Sequence, residues 1–179
     1  MLKQIKSFSD PKQKQWHDFE KLVENIFEFL FKDSFNSYRT TSQRSEKDKT
    51  RRTDLIIANN TPKHDFWKGR AQQGDSRIVV DSKYYKESIS RDDVRDFWSK
   101  YLVDRNTGRF GIIVTLRGYD QAAQSEVIGK FHSNNIDSST LILILDSFDL
   151  EKMIELKMKG KSPEEILEEK VTDIILNPS

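Results

Sequence analysis

Two charged residues one pleat apart close an apolar strand in this chain of 179 residues: Asp81 and Lys83 follow Ile78-Val79-Val80. Side chains alternate along a strand, so this carboxylate and this amine project from one face. A second carboxylate, Asp54, stands just ahead of Leu55-Ile56-Ile57. If the two strands are neighbours, Asp54 and Asp81 converge. Two carboxylates held close form a hard oxygen site for Mg²⁺. A lysine one pleat further can face a reacting phosphate or its attacking water. The plainer reading is that Asp81 and Lys83 lie past the strand end in solvent, since a short Asp-x-Lys recurs by chance.

The surrounding elements decide between these readings. Residues 14–31 place Phe19, Leu22, Val23, Ile26, Phe27 and Leu30 on one helical face. Residues 35–40 are a short strand candidate, and residues 53–58 and 77–85 are two more. Residues 59–76, with Pro62, Gly69 and Gly74, read as a long loop. Residues 90–103 form an amphipathic helix on Val94, Phe97, Trp98, Tyr101 and Leu102, with Ser90 and Asp93 spaced as a capping box. Residues 109–116 and 140–146 are continuous apolar runs, the pattern of central strands covered on both faces. A crossover helix is expected over 120–134. Two further helices follow, one capped by Ser147 and one opened by Ser162-Pro163-Glu164-Glu165. The order α-β-β-β-α-β-α-β-α-α implies an α/β fold with a mixed central sheet flanked by helices. We expect one domain over residues 1–146 and a C-terminal helical extension over 147–179 packed on it.

This arrangement resembles the PD-(D/E)xK nuclease superfamily, and within it the Mrr-type restriction endonuclease domain. The resembling residues are Phe19-Glu20-Lys21-Leu22-Val23, Thr53-Asp54-Leu55-Ile56, Asp81-Ser82-Lys83-Tyr84-Tyr85 and Val94-Arg95-Asp96-Phe97. Gly111-Ile112-Ile113-Val114-Thr115 and Gly118-Tyr119-Asp120-Gln121-Ala122-Ala123 continue the series. The likeness spans roughly residues 16 to 146, and its specificity rests on order and spacing. It implies a restriction-endonuclease-like core and a Mg²⁺-dependent endonuclease acting on double-stranded DNA, with Mn²⁺ able to substitute. Asp54 and Asp81 would be metal ligands with the Ser82 carbonyl as a third, Lys83 the catalytic lysine, and Glu20 the group completing the site from the first helix. Glu20 lies roughly 90° from the centre of its helix's apolar stripe, a border position; Glu24 is the alternative, about 40° further towards solvent. The sequence departs from the pattern in three places. Thr53 stands where the superfamily name has proline, the glycine that many Mrr-type domains carry before the aspartate is missing, and Asp81 replaces a glutamine. The same fold implies a Holliday-junction resolvase as a rival, and a non-cleaving nucleic-acid-binding or assembly module as another.

Charge and composition narrow the partners. Lys plus Arg number 30 against 29 acidic residues, which excludes a uniformly basic coat. The balance is local: residues 149–179 hold 8 acidic and 5 basic residues, a net of −3. Residues 39–52 carry Arg39, Arg44, Lys47, Lys49, Arg51 and Arg52 against Glu46 and Asp48. Arg39, Arg44, Lys47 and Arg52 are therefore candidate phosphate contacts, with a solvated charged hairpin as the plainer reading. There is no cysteine, so no disulfide, thiolate zinc site or cysteine nucleophile. No apolar run approaches the ~18–20 residues of a membrane span, and a cytoplasmic location is expected. Gly69 to Ser76 imitates a phosphate-binding loop, but Asp75 stands where lysine is required. Tyr84 and Tyr85 could stack a base or pack on the sheet, and Trp67 falls in the long loop as a lid or surface residue. The C-terminal Leu150, Met153, Ile154, Ile166, Leu167, Ile174 and Ile175 suggest a homodimer surface, DNA-promoted, unless they pack on their own domain.

Overall fold

The computed structural model describes residues 1–8, 16–43, 53–103, 108–132 and 140–177, with the backbone alone at 6, 42, 43, 53 and 54. The described residues form the α-helices α1 (Leu2–Ser7), α2 (Trp16–Phe31), α3 (Asp65–Gln72), α4 (Arg91–Phe97), α5 (Gln121–Phe131), α6 (Ser147–Met158) and α7 (Glu164–Leu176). The strands are β1 (Thr40–Gln43), β2 (Thr53–Ala58), β3 (Arg77–Lys83), β4 (Phe110–Thr115) and β5 (Leu141–Leu145). They form one sheet in the order β1-β2-β3-β4-β5. The β1–β2 and β2–β3 pairs are antiparallel, while β3–β4 and β4–β5 are parallel. This is the mixed α/β architecture that the element order implied.

Each face of the sheet is covered by a different set of helices, because alternate residues of the strands are apolar on both sides. Ile78 and Val80 of β3 join Ile112 and Val114 of β4 in a core with Phe19, Ile26, Phe27 and Leu30 of α2. Val79 joins Ile113, Ile142 and Ile144 in a second core with Val94 and Phe97 of α4 and Ala123 and Val127 of α5. All of β4 and β5 is buried, as their unbroken apolar runs require.

Several local features differ from the sequence expectation. Residues 59–76 are not a loop throughout: α3 forms there, its N-terminus capped by His64, whose Nδ1 accepts from the Phe66 N–H at 3.2 Å. Trp67 on α3 is fully buried and donates its Nε1–H to Glu164 Oε1 at 2.9 Å. Its periodic signal is weak because α3 buries one large side chain instead of a stripe. Strand β1 begins at Thr40, and Phe35 makes only an isolated bridge to Pro62. The helix of residues 90–103 changes after Phe97 into a π-helical turn over Trp98–Leu102. The cap of α6 is Asp146, which accepts from the N–H groups of Phe148 and Asp149, while Ser147 donates to the Leu116 carbonyl.

The C-terminal helices pack inward. Leu150, Met153, Ile154, Ile166 and Leu167 are all buried within the chain, while Ile175 and Leu176 stay exposed. Glu164 at the start of α7 is itself buried and accepts from Ser34, Trp67 and Ser162. One carboxylate thus ties α7 to α3 and to the turn after α2.

Candidate active site

Strand β3 carries the charged pair to the edge of the second core. Asp81 and Lys83 alternate with Ile78 and Val80, so they share the face of Val79, on which α4 and α5 lie. Asp81 is 5% exposed. The Lys83 ammonium sits 2.9 Å from Asp81 Oδ2. Asp81 is buried and Lys83 half-buried, and neither is past the strand: the parallel register sets Asp81 beside Ile113 and Lys83 beside Thr115. Burial works against the Lys83 charge, but the charge and hydrogen bond of Asp81 outweigh it and hold the ammonium above the ordinary lysine range. Lys83 is therefore a cation at neutral pH and not a free base.

Strands β2 and β3 are neighbours, with Leu55 opposite Val80 and Ile56 opposite Val79. One step further in that antiparallel register, the backbone of Asp54 comes opposite Asp81. Ser82, between the two charged residues, is half-buried and pairs in register with Val114. Among the described residues no three His, Cys, Asp or Glu side chains gather as a metal-binding group. The donors that the described side chains and backbone supply at this end of β3 are oxygens only, the Asp81 carboxylate and the Ser82 carbonyl, with the backbone of Asp54 opposite. That set fits a hard divalent cation such as Mg²⁺ or Mn²⁺.

The lysine has further neighbours that the motif alone does not name. The Tyr85 ring centroid lies 5.8 Å from Lys83 Nζ. Asp93, on the first turn of α4, adds negative charge that acts on both Lys83 and Tyr85. Asp93 Oδ2 also accepts from the Ser90 N–H at 2.9 Å and the Ser90 hydroxyl at 2.6 Å, closing the capping box that the sequence showed. The segment between is pinned, since the Ile89 N–H donates to the Gly118 carbonyl and the Asp120 N–H to the Ile89 carbonyl. Strand alternation carried one step beyond Lys83 is the signal that could have picked out Tyr85. Tyr84 turns the other way and packs on Phe8 and Phe19 at 5.8 and 5.3 Å.

Glu20 sits on the first turns of α2, half-buried, with Oε2 3.5 Å from His17 Nδ1. Its neighbour Phe19 stacks on Tyr84, so this end of α2 covers the end of β3 from the opposite face. Any route from Glu20 to the Asp81–Lys83 pair runs around the strand end. Glu24 pairs with Lys21 at 2.7 Å. Arg39 is exposed and donates Nε–H to Ser37 Oγ at 3.2 Å; Arg44, Lys47 and Arg52 lie outside the described residues. The loop that imitates a phosphate cradle is structural. Asp75 is buried, accepts from the Arg109 N–H at 2.7 Å and lies 3.6 Å from the Arg70 guanidinium.

With this geometry in place, residues 12–154 match the family of Mrr-type restriction endonucleases. The chain belongs to that family. The same search among curated proteins and among solved structures finds no match. The restriction endonuclease match takes in α2, all five strands and the first part of α6, so Glu20, Asp54, Asp81, Ser82 and Lys83 fall within one family domain. The chain is thus a restriction-endonuclease-like nuclease, and its substrate is DNA. Among the described residues no helix is long and apolar enough to cross a membrane.

Proposed function

We propose that this chain is a Mg²⁺-dependent endonuclease that hydrolyses phosphodiester bonds of double-stranded DNA at the Asp54–Asp81–Lys83 site, in a cytoplasmic restriction or antiviral defence role. The observation that carries this reading is the pairing of the buried Asp81 with the half-buried Lys83, 2.9 Å apart, with the Asp54 backbone opposite on the neighbouring strand. Asp54, Asp81 and the Ser82 carbonyl would hold the cation. Bound there, a divalent ion would polarise the scissile phosphate and lower the pKa of an attacking water. Mn²⁺ would serve in its place.

The protein groups supply the rest. Lys83 is already protonated, so it offers N–H donors to a phosphate oxygen and offsets the negative charge that builds as water attacks phosphorus. Asp81 fixes where that ammonium stands before substrate arrives. Glu20 completes the site from α2 by orienting water at the strand end. Arg39, Arg44, Lys47 and Arg52 contact phosphates and position the duplex without specifying its sequence. The catalytic domain covers residues 1–146, and residues 147–179 are a helical extension that packs on it. One such site cuts one strand, so duplex cleavage uses a homodimer that DNA promotes.

The test is cleavage of duplex and supercoiled DNA by the purified chain in Mg²⁺, Mn²⁺ and EDTA. Cutting is expected with either metal and not in EDTA, with Asp81→Asn slowed at least about a hundredfold. Wild-type protein that leaves both substrates intact in both metals, or Asp81→Asn cutting at the wild-type rate, would overturn the reading.

A further inference from the structure

Asp81 and Lys83 share one face of β3, and Tyr85, two residues past the strand's end, stands against the same lysine but has no part in the catalytic set proposed above. Tyr85 is 39% exposed, whereas Tyr84 beside it is packed on Phe19 of α2 and on Phe8. Its ring stands 5.8 Å from the Lys83 ammonium, close enough for the ring face to attract the charge. Lys83 is thus gripped from two sides, by the Asp81 carboxylate and by a neutral aromatic. The negative charge of Asp93 on α4 acts on both.

The two grips differ in what they do when a cation arrives. A divalent ion on Asp81 competes with Lys83 for the same carboxylate and repels the ammonium. The phenol of Tyr85 is a poor ligand for a hard cation while it keeps its proton, and its ring and oxygen both attract an ammonium. The next turn of chain is fixed to the Gly118–Asp120 segment by the two Ile89 backbone bonds, so Tyr85 has a stable base. We propose that Tyr85 is a positioning residue that keeps the Lys83 ammonium at the reaction centre when the Asp81 carboxylate turns to a divalent cation. This inference rests on the reading of Asp81 and Lys83 as the catalytic pair.

Two measurements test it together. The first is acylation of Lys83 by a limiting amine reagent, read by mass spectrometry against the exposed Lys86, in EDTA and in Mg²⁺. Loss of the ring contact corresponds to a several-fold change in occupancy, so Tyr85→Leu should raise Lys83 labelling about threefold in Mg²⁺, and Tyr85→Phe, which keeps the ring, should raise it less. The second is single-turnover cleavage of a duplex at saturating enzyme, with DNA affinity measured separately. Tyr85→Leu should slow cleavage about tenfold with affinity within about twofold of wild type, and Tyr85→Phe, which keeps the ring, should lose less. Unchanged labelling in both variants would overturn the proposal, as would a wild-type rate despite changed labelling. So would weaker DNA binding with an unchanged saturated rate, which would make Tyr85 a direct DNA contact. Lys83→Ala serves as the control for the underlying reading. If it cuts like wild type, the proposed catalytic site fails, whereas the labelling result still decides whether Tyr85 holds Lys83.

Discussion

Lys83 Nζ and Asp81 Oδ2 lie 2.9 Å apart on one face of β3, with Asp81 almost wholly buried. The lysine pKa in the fold is above its ordinary value of 10.5. A raised pKa means that the folded state prefers the protonated lysine. The stability it contributes is fully present below pH 10.5 and is lost as pH rises through the higher folded value. Wild type in EDTA should therefore lose stability from about pH 10.5 upward by more than Lys83→Met does, measured by urea unfolding at each pH. Parallel curves for the two proteins would show that the pair is not coupled as described.

Asp54 tests the register of the neighbouring strand. Asp54→Asn removes a carboxylate charge with little change of shape. Cleavage should fall at least about a hundredfold. In EDTA its melting temperature should rise, because two like charges brought opposite each other on antiparallel strands repel. A variant that melts below wild type in EDTA would count against convergence of Asp54 and Asp81.

Glycine at 111 lets α4 approach the sheet. A Cβ built there would stand 2.5 Å from Phe97 Cζ and 2.7 Å from Cε1, and Phe97 is itself buried. Gly111→Ala should therefore cost roughly 1–3 kcal/mol by overpacking. It would also push outward the helix whose first turn holds Asp93 near Lys83. Denaturant unfolding combined with the cleavage assay checks both effects. A fully stable variant would mean that Phe97 has room to move.

Glu164 joins three donors far apart in sequence. Glu164→Ala strands the buried Trp67 indole N–H and Ser34 hydroxyl, while Ser162 keeps His64 Nε2 as a partner, so a loss of about 2–4 kcal/mol is expected. Glu164→Gln keeps one acceptor oxygen and should lose less. Equal stability of the two variants, measured by urea unfolding, would show that the hydrogen bonds are not what holds α7.

Assembly follows from the chemistry of a site that cuts one strand. Sedimentation across a concentration series should show a weak dimer that a duplex strengthens. The buried state of Leu150, Met153, Ile154, Ile166 and Leu167 leaves the exposed Phe148 and Met158 of α6 and Ile175 and Leu176 of α7 as the apolar residues of the C-terminal helices open to a partner. A monomer that makes double-strand breaks with first-order dependence on enzyme would rule the dimer out.

The elements nearest the proposed chemistry were legible from residue order because their signals are local. Alternation placed Asp81 and Lys83 together, helical periodicity placed the buried face of α2, and the Ser90–Asp93 spacing marked the start of α4. Unbroken apolar runs identified β4 and β5 as covered on both faces. Tertiary structure alone decided the rest, because those features depend on groups remote in the chain. Trp67 reads as a loop residue until Glu164, 97 positions later, accepts its N–H. Asp75 imitates part of a phosphate cradle until Arg70 and the Arg109 N–H fold around it. The apolar C-terminal helices look like an interface until β5 and α2 supply the surface that covers them. Tyr84 and Tyr85 are identical side chains in sequence; only the pleat of β3 and the packing of α2 send one into the core and the other to Lys83.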